Sequence, residues 1–225
     1  MDGTVVVVDL GRLPYEAAHR LQVDARDALI DERGPQTLFL VEHDPVVTLG
    51  RRGNRGGILS ERALAAAGIP VLETERGGDV TYHGPGQLVA YPILDLRKRD
   101  SDVRRYVEDL ERTALRTLES YGLSAQADPE RHGVYTTRGK IASIGVHVSH
   151  WITMHGIALN IDPDMEHWSL IAPCNLPDVQ ATSMAAELPL PPLFSDVKER
   201  FVEAFSAVFA IPIEWGTAYG RTTRA

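Results

Sequence analysis

The chain has 225 residues, of which 44% are hydrophobic and 24% charged, and a formal net charge of −8. This is the make-up of an ordinary soluble globular protein, long enough to bury a real core, with no apolar run near the ~20 residues that span a bilayer. The acidic balance argues against nucleic acid as the main partner, because phosphate binding wants a basic face.

In chain order, MDGTVVVVDLGRL has no basic segment ahead of its valines, so it predicts a strand over Val5 to Asp9 and not a signal peptide. Pro14 suits the first turn of a helix from Tyr15 to about Ile30, with Ala18, Leu21, Ala25, Ala28 and Leu29 on one face. Thr37 to Glu42 and Val46 to Leu49 read as strands, followed by the basic, glycine-rich loop Gly50 to Gly57. Ser60 can cap a short helix that Gly68 ends, and Ile69 to Leu72 is a further strand. Next comes the ribbon Arg76 to Gln87, with four glycines in its first eleven residues, feeding a buried strand from Gln87 to Ile93. So much glycine suits backbone that must approach a ligand, although an ornate hairpin turn gives the same pattern.

A long helix is expected from about Asp102 to Tyr121, its apolar stripe formed by Val103, Val107, Leu110, Ala114, Leu118 and Tyr121, with Gly122 just past its end. Gly133 to Thr136, Lys140 to Val148 and Ile152 to Ile161 read as consecutive antiparallel strands. An irregular stretch runs from Asp162 to about Pro192, then a helix from Asp196 to about Phe209, a strand over Ile211 to Trp215, and a loose tail over about 216–225. No linker or repeat divides the chain, so one α+β domain over residues 1–225 is expected.

Chemistry has few candidates. The single cysteine, Cys174, excludes an internal disulfide and suits a reducing cytoplasm. It reads either as a buried structural thiol or as a nucleophile that needs a nearby cation or base to become a thiolate. Of 23 basic residues only Lys98, Lys140 and Lys198 are lysines. Lys140 opens the strand Lys-Ile-Ala-Ser-Ile-Gly-Val, and is either a strand-edge guard or a partner for the thiolate. His147, His150, His155 and His167 lack a compact zinc spacing, so no metal is expected; a dyad of Cys174 with His83 or His155 is the better alternative.

Taken together, Arg76-Gly77-Gly78 through Tyr82-His83-Gly84-Pro85-Gly86-Gln87, Lys140-Ile141-Ala142-Ser143-Ile144-Gly145 and Pro173-Cys174 resemble the lipoyl(octanoyl) transferases of lipoate biosynthesis. His155 to Asn160 and Thr48 to Arg52 also look like segments of that family, and all five occur in family order. The resemblance implies a mixed, largely antiparallel sheet flanked by helices, as in biotin and lipoate-protein ligases. It implies that Cys174 carries octanoyl as a thioester, that Lys140 lowers the thiol pKa and handles protons, and that no ATP is used. Arg76, Gly77, Gly78, Asp79, Val80, Thr81, Tyr82, His83, Ser143, Ile144, Gly145, Gly156, Ile157 and Ala158 would line the acyl pocket. The implied partners are octanoyl-acyl carrier protein, whose phosphopantetheine enters with the donor, and the lipoyl domains of 2-oxo-acid dehydrogenases and glycine cleavage H protein. No resident cofactor, no membrane and a monomer are expected. The rivals are an ATP-dependent lipoate or biotin ligase and a lipoyl-relay amidotransferase on the same fold. Asn175 stands where family members often have glycine, which bears on the local loop and not on the nucleophile. Gly77-Gly78 or Gly145 are the expected oxyanion donors, and Arg51, Arg52 and Arg55 the expected basic patch for an acidic carrier.

Overall fold

The computed structural model describes residues 3–128, 133–172 and 180–216. Its main sheet has eight strands in the order β11-β1-β2-β6-β10-β9-β8-β7. These are β1 (Val5–Leu13), β2 (Gln36–His43), β6 (Gln87–Ile93), β7 (Gln126–Ala127), β8 (Gly133–Tyr135), β9 (Lys140–Ser149), β10 (Ile152–Asn160) and β11 (Ile213–Trp215). β1 runs parallel to β2 and β11, while every other pairing in this sheet is antiparallel. A second sheet holds β3 (Val46–Leu49) between β4 (Val71–Glu73) and β5 (Val80–His83).

The helices follow from where a parallel link or an unburied sheet face requires cover. α1 (Tyr15–Ile30) is the crossover that joins β1 to β2. Strand pleat sends Phe39, Val41, Val89, Tyr91 and Ile93 to the α1 side, with Ala18, Ala25 and Leu29. The alternate residues Leu38, Leu40, Leu88 and Ala90 face α3 (Val103–Glu119) and α6 (Phe194–Phe209), where Leu110, Ala114, Leu118, Phe201 and Phe205 complete the larger core. A third cluster packs Val47, Leu49, Val80 and Tyr82 against Leu64 of α2 (Glu61–Ala66) and Trp168 of α4 (Met165–Trp168).

Several expectations shift. β1 continues past Asp9 through a register shift to Leu13, and the ribbon contains a strand of its own, β5. The stripe of α3 turns on Tyr106 in place of the exposed Val103. The stretch expected to be irregular holds α4 and α5 (Met184–Glu187), each started by an Asp164 or Ser183 side chain accepting from a backbone N–H two or three residues on. No helix among the described residues is long and apolar enough to cross a membrane. Of the loose tail expected over about 216–225, residues 217–225 lie outside the described residues.

Candidate active site

A cavity of about 830 Å³ lies between the glycine-rich ribbon and strands β6, β9 and β10, within the size range of small-molecule sites. From the ribbon, Arg76, Gly77, Gly78, Asp79, Val80, Thr81 and His83 line it; from β9, Lys140, Ser143, Ile144 and Gly145; from β10, Gly156, Ile157 and Ala158. Tyr82 is not among its walls. It joins the core below the small sheet, with its hydroxyl 2.9 Å from His167 Nδ1 and its ring against Trp168. Tyr15, Val89, Tyr91, Val107, Val146, Arg51 and Arg52 also line the cavity. Arg51 and Arg52 belong to the basic, glycine-rich loop already singled out, whereas Tyr15, Val89, Tyr91, Val107 and Val146 sit in plain strand and helix, so nothing local marked them for the pocket.

The ribbon is held by backbone on both sides. Gly50, Arg51 and Arg52 donate their N–H groups to Asp79, Arg76 and Gly78 carbonyls at 3.1, 2.9 and 3.1 Å. Across the cavity, Gly77 N–H donates to Val146 O at 2.8 Å, so that amide is already committed and does not serve as an oxyanion donor. Val146 thus turns its carbonyl away from β10, and the next pair, Gly145 with Gly156, is the one whose amides face each other in the ladder. A Cβ on Gly145 would lie 2.8 Å from Gly77 O, so only glycine lets the ribbon approach β9 this closely. The buried Arg76 guanidinium donates to Thr48 Oγ1 and O, Gly77 O and Asp79 O, at 2.7–3.1 Å. It wires the small sheet to the ribbon while presenting its stem to the cavity.

Lys140 is 4% exposed, with Nζ 5.4 Å from the Tyr135 ring centroid. Room for its stem comes from Gly133, where a Cβ would sit 2.6 Å from Lys140 Cε. Cys174 lies outside the described residues, as does the rest of 173–179. The chain on either side is anchored. Ala172 N–H donates to Gly57 O at 2.8 Å, Lys140 N–H to Gln180 O at 2.8 Å, and Thr182 N–H to Lys140 O at 2.9 Å.

Behind the ribbon a buried polar network fixes two histidine tautomers. Gln87 donates through Nε2 to Asn160 Oδ1 (2.8 Å) and Tyr82 O (3.2 Å), which leaves its Oε1 to accept from His83 Nδ1 at 2.7 Å. Asn160 in turn donates to Thr182 O at 2.9 Å, so the network ends on a residue whose own N–H is bonded to Lys140 O. His43 donates through Nδ1 to Leu13 O (3.0 Å), so its Nε2 accepts from the Tyr91 hydroxyl at 2.7 Å. Burial lowers the His83 pKa well below its ordinary value and that of His43 to about 4. Both imidazoles are therefore neutral at neutral pH and present Nε2 lone pairs. Burial likewise raises Tyr91 well above the usual phenol value, keeping it protonated.

Farther along the wall, Glu75 Oε1 sits 2.8 Å from His19 Nε2 and 3.2 Å from His155 Nε2. The contacts with His155 and then His19 hold its carboxyl well below the usual carboxylate range. Among the described residues this is the one trio of metal-ligating side chains with converging donor atoms. Of the four histidines weighed for a metal from spacing, only His155 belongs to it. The site thus joins a buried amine and neutral imidazoles to a cavity lined by glycines and apolar side chains together with Arg51, Arg52, Arg76 and Asp79.

The family model for the lipoyl protein ligase A/B catalytic domain matches residues 3–206. An octanoyltransferase from Geobacter metallireducens is 41% identical over 201 residues, 89% of this chain and 92% of that protein. One from Myxococcus xanthus is 42% identical over 213 residues, 92% of this chain but 60% of that relative's length. A chain from the structure of the bi-partite lipoate protein ligase and its E2 lipoyl domain from Thermoplasma acidophilum superposes with a TM-score of 0.73 at 17% identity, over 98% of this chain and 88% of that one. Biotin protein ligase from Aquifex aeolicus superposes with a TM-score of 0.51 at 10% identity, over 93% and 70%. At such identities the likeness is one of fold, and it is the mixed, helix-flanked fold expected from the sequence.

Proposed function

Because the chain belongs to the lipoyl protein ligase A/B catalytic-domain family, and to the octanoyltransferases within it, we propose that it moves octanoyl from octanoyl-acyl carrier protein to the lysine of lipoyl domains through a thioester on Cys174. The observation that carries this reading is the meeting of the ribbon, the start of β9 and the middle of β10 around one cavity, with Lys140 at its edge. The anchored ends of the segment bearing Cys174 support the pairing with Lys140, since residues 180–182 are bonded directly to the Lys140 backbone.

In this scheme the Cys174 thiolate, favoured by the Lys140 ammonium, attacks the donor carbonyl. The C–S bond to phosphopantetheine breaks, and its sulfur leaves as a thiol with the proton that the Lys140 ammonium gives up, which leaves Lys140 neutral for the second step. The neutral lysine amine of a lipoyl domain then attacks the acyl-enzyme; a C–N bond forms as the Cys174 C–S bond breaks, and Lys140 relays the amine's proton. The thioester already holds the free energy for the amide, so ATP has no task. Burying the octanoyl tail contributes about 5 kcal/mol at ~0.8 kcal/mol per CH₂, and one methylene more or less changes binding by only ~1–3 kcal/mol. The acceptors are the lipoyl domains of 2-oxo-acid dehydrogenases and glycine cleavage H protein, served by a monomeric cytoplasmic enzyme.

Intact-protein mass spectrometry after mixing the chain with octanoyl-acyl carrier protein, without ATP, tests this. A hydroxylamine-labile octanoyl adduct is expected on Cys174 and absent from Cys174→Ser. Lipoyl-domain octanoylation that survives in Cys174→Ser and requires ATP would overturn it.

A further inference from the structure

The trio His19, Glu75 and His155 has no task in the scheme above, yet its geometry is that of a binding site. The side chains come from α1, the segment after β4, and β10, and their donor atoms all lie within 4.8 Å of one another. Adjacent ligands on a tetrahedral ion with bonds of ~2.0–2.1 Å sit roughly 3.3 Å apart. The two edges through Glu75 Oε1, at 2.8 and 3.2 Å, are already close to that separation.

His155 supplies a second, independent observation. The residue is 1% exposed, and its Nε2 makes no aligned hydrogen bond despite being buried. The polar contact named above, with the Glu75 carboxylate at 3.2 Å, is out of line for a hydrogen bond but within the spacing of two ligands on one ion. The backbone of His155 is in the left-handed region at φ +57, uncommon for a residue with a side chain. It is held there by its N–H donating to Oε1 of the buried Gln22 at 2.8 Å. On the far side of the ring, Tyr15 Oη lies 3.5 Å from Nδ1, backed by Thr74 Oγ1 at 3.2 Å. Metal-binding histidines characteristically donate their other ring N–H to such a group, which frees Nε2 as the ligand. The His19 and Glu75 side chains are 29% and 37% exposed, leaving an entry path and room for water to complete the coordination.

We propose that His19, Glu75 and His155 bind one divalent transition-metal ion of the Zn²⁺ class. Two imidazoles and one carboxylate suit Zn²⁺ better than Mg²⁺ or Ca²⁺, which take oxygen ligands. The ion ties α1 to β10 across the cavity wall, so it stabilises the fold beside the pocket.

Calorimetric titration of the metal-free full chain with ZnCl₂ tests the proposal. One Zn²⁺ per chain is expected at micromolar concentration. At a hundredfold excess over Kd the midpoint of thermal unfolding should rise by about 5–10 °C. His19→Ala and Glu75→Gln, both at part-exposed positions, should each weaken binding more than about tenfold, while Cys174→Ser should bind as before. Absence of saturable binding overturns the site. So does binding that survives both substitutions, or binding lost in Cys174→Ser, which would place the ion on the thiol.

Discussion

Gly133 decides how much room the buried amine of Lys140 has. Its backbone is at φ +153, and a Cβ there would press on both Lys140 Cε and Ala142 O, each at 2.6 Å. Gly133→Ala should therefore lower kcat by more than about tenfold through a displaced Lys140, since ångström-scale misplacement of a reacting group is this costly. Its stability loss should stay near ~1–3 kcal/mol; steady-state kinetics beside urea unfolding separates the two effects. An unchanged kcat would mean that Lys140 does not act from this position. Lys140 was legible in the sequence as a rare lysine opening an apolar strand, whereas the need for Gly133 depends on a contact between two strands. Arg76 shows the converse. It lines the cavity as expected, but the Thr48, Gly77 and Asp79 oxygens to which its guanidinium donates could not be read from the sequence.

At the scale of elements, β2, β5 and β10 each place a histidine where burial lowers its pKa: His43, His83 and His155. Each is neutral when folded but takes up a proton near pH 6.5 when unfolded. The unfolded state thus binds more protons, and stability rises with pH across this window. It should be complete above about pH 7 and fall as pH drops toward 4, with His43 alone accounting for on the order of 3 kcal/mol. Urea midpoints from pH 7 to 4.5 should decline, and less steeply in His43→Gln; a flat profile would contradict the burial argument. The strands carrying these histidines were largely readable from apolar runs, and β6 occupies the residues expected. β5 was missed because glycines on both sides of Val80 to His83 hid a strand only four residues long.

For the whole molecule, a net charge of −8 sets a docking problem for any acidic carrier. Arg51 and Arg52 are exposed and line the cavity mouth, whereas Arg55 is paired with Glu61 at 2.7 Å. Arg51→Glu with Arg52→Glu should raise KM for octanoyl-acyl carrier protein about tenfold or more and flatten its salt dependence, because steering charges act mainly on encounter. Turnover of a carrier-free octanoyl thioester should change far less; an equal loss with both donors would place the effect in the pocket.

The sequence by itself determined what is local. Helices and strands follow from apolar spacing, caps and turns follow from Ser60, Asp102 and Gly122, and the family follows from motifs in a set order. Tertiary structure decided what depends on residues far apart in the chain. It chose which ribbon residues face the cavity and turned Tyr82 away to Trp168, because packing of the small sheet picks the side of each strand. It committed the Gly77 amide to Val146, because that bond joins the ribbon's loop to a strand about seventy residues further along the chain. It also brought His19, Glu75 and His155 together from three separate elements, a convergence that no periodicity in one dimension records.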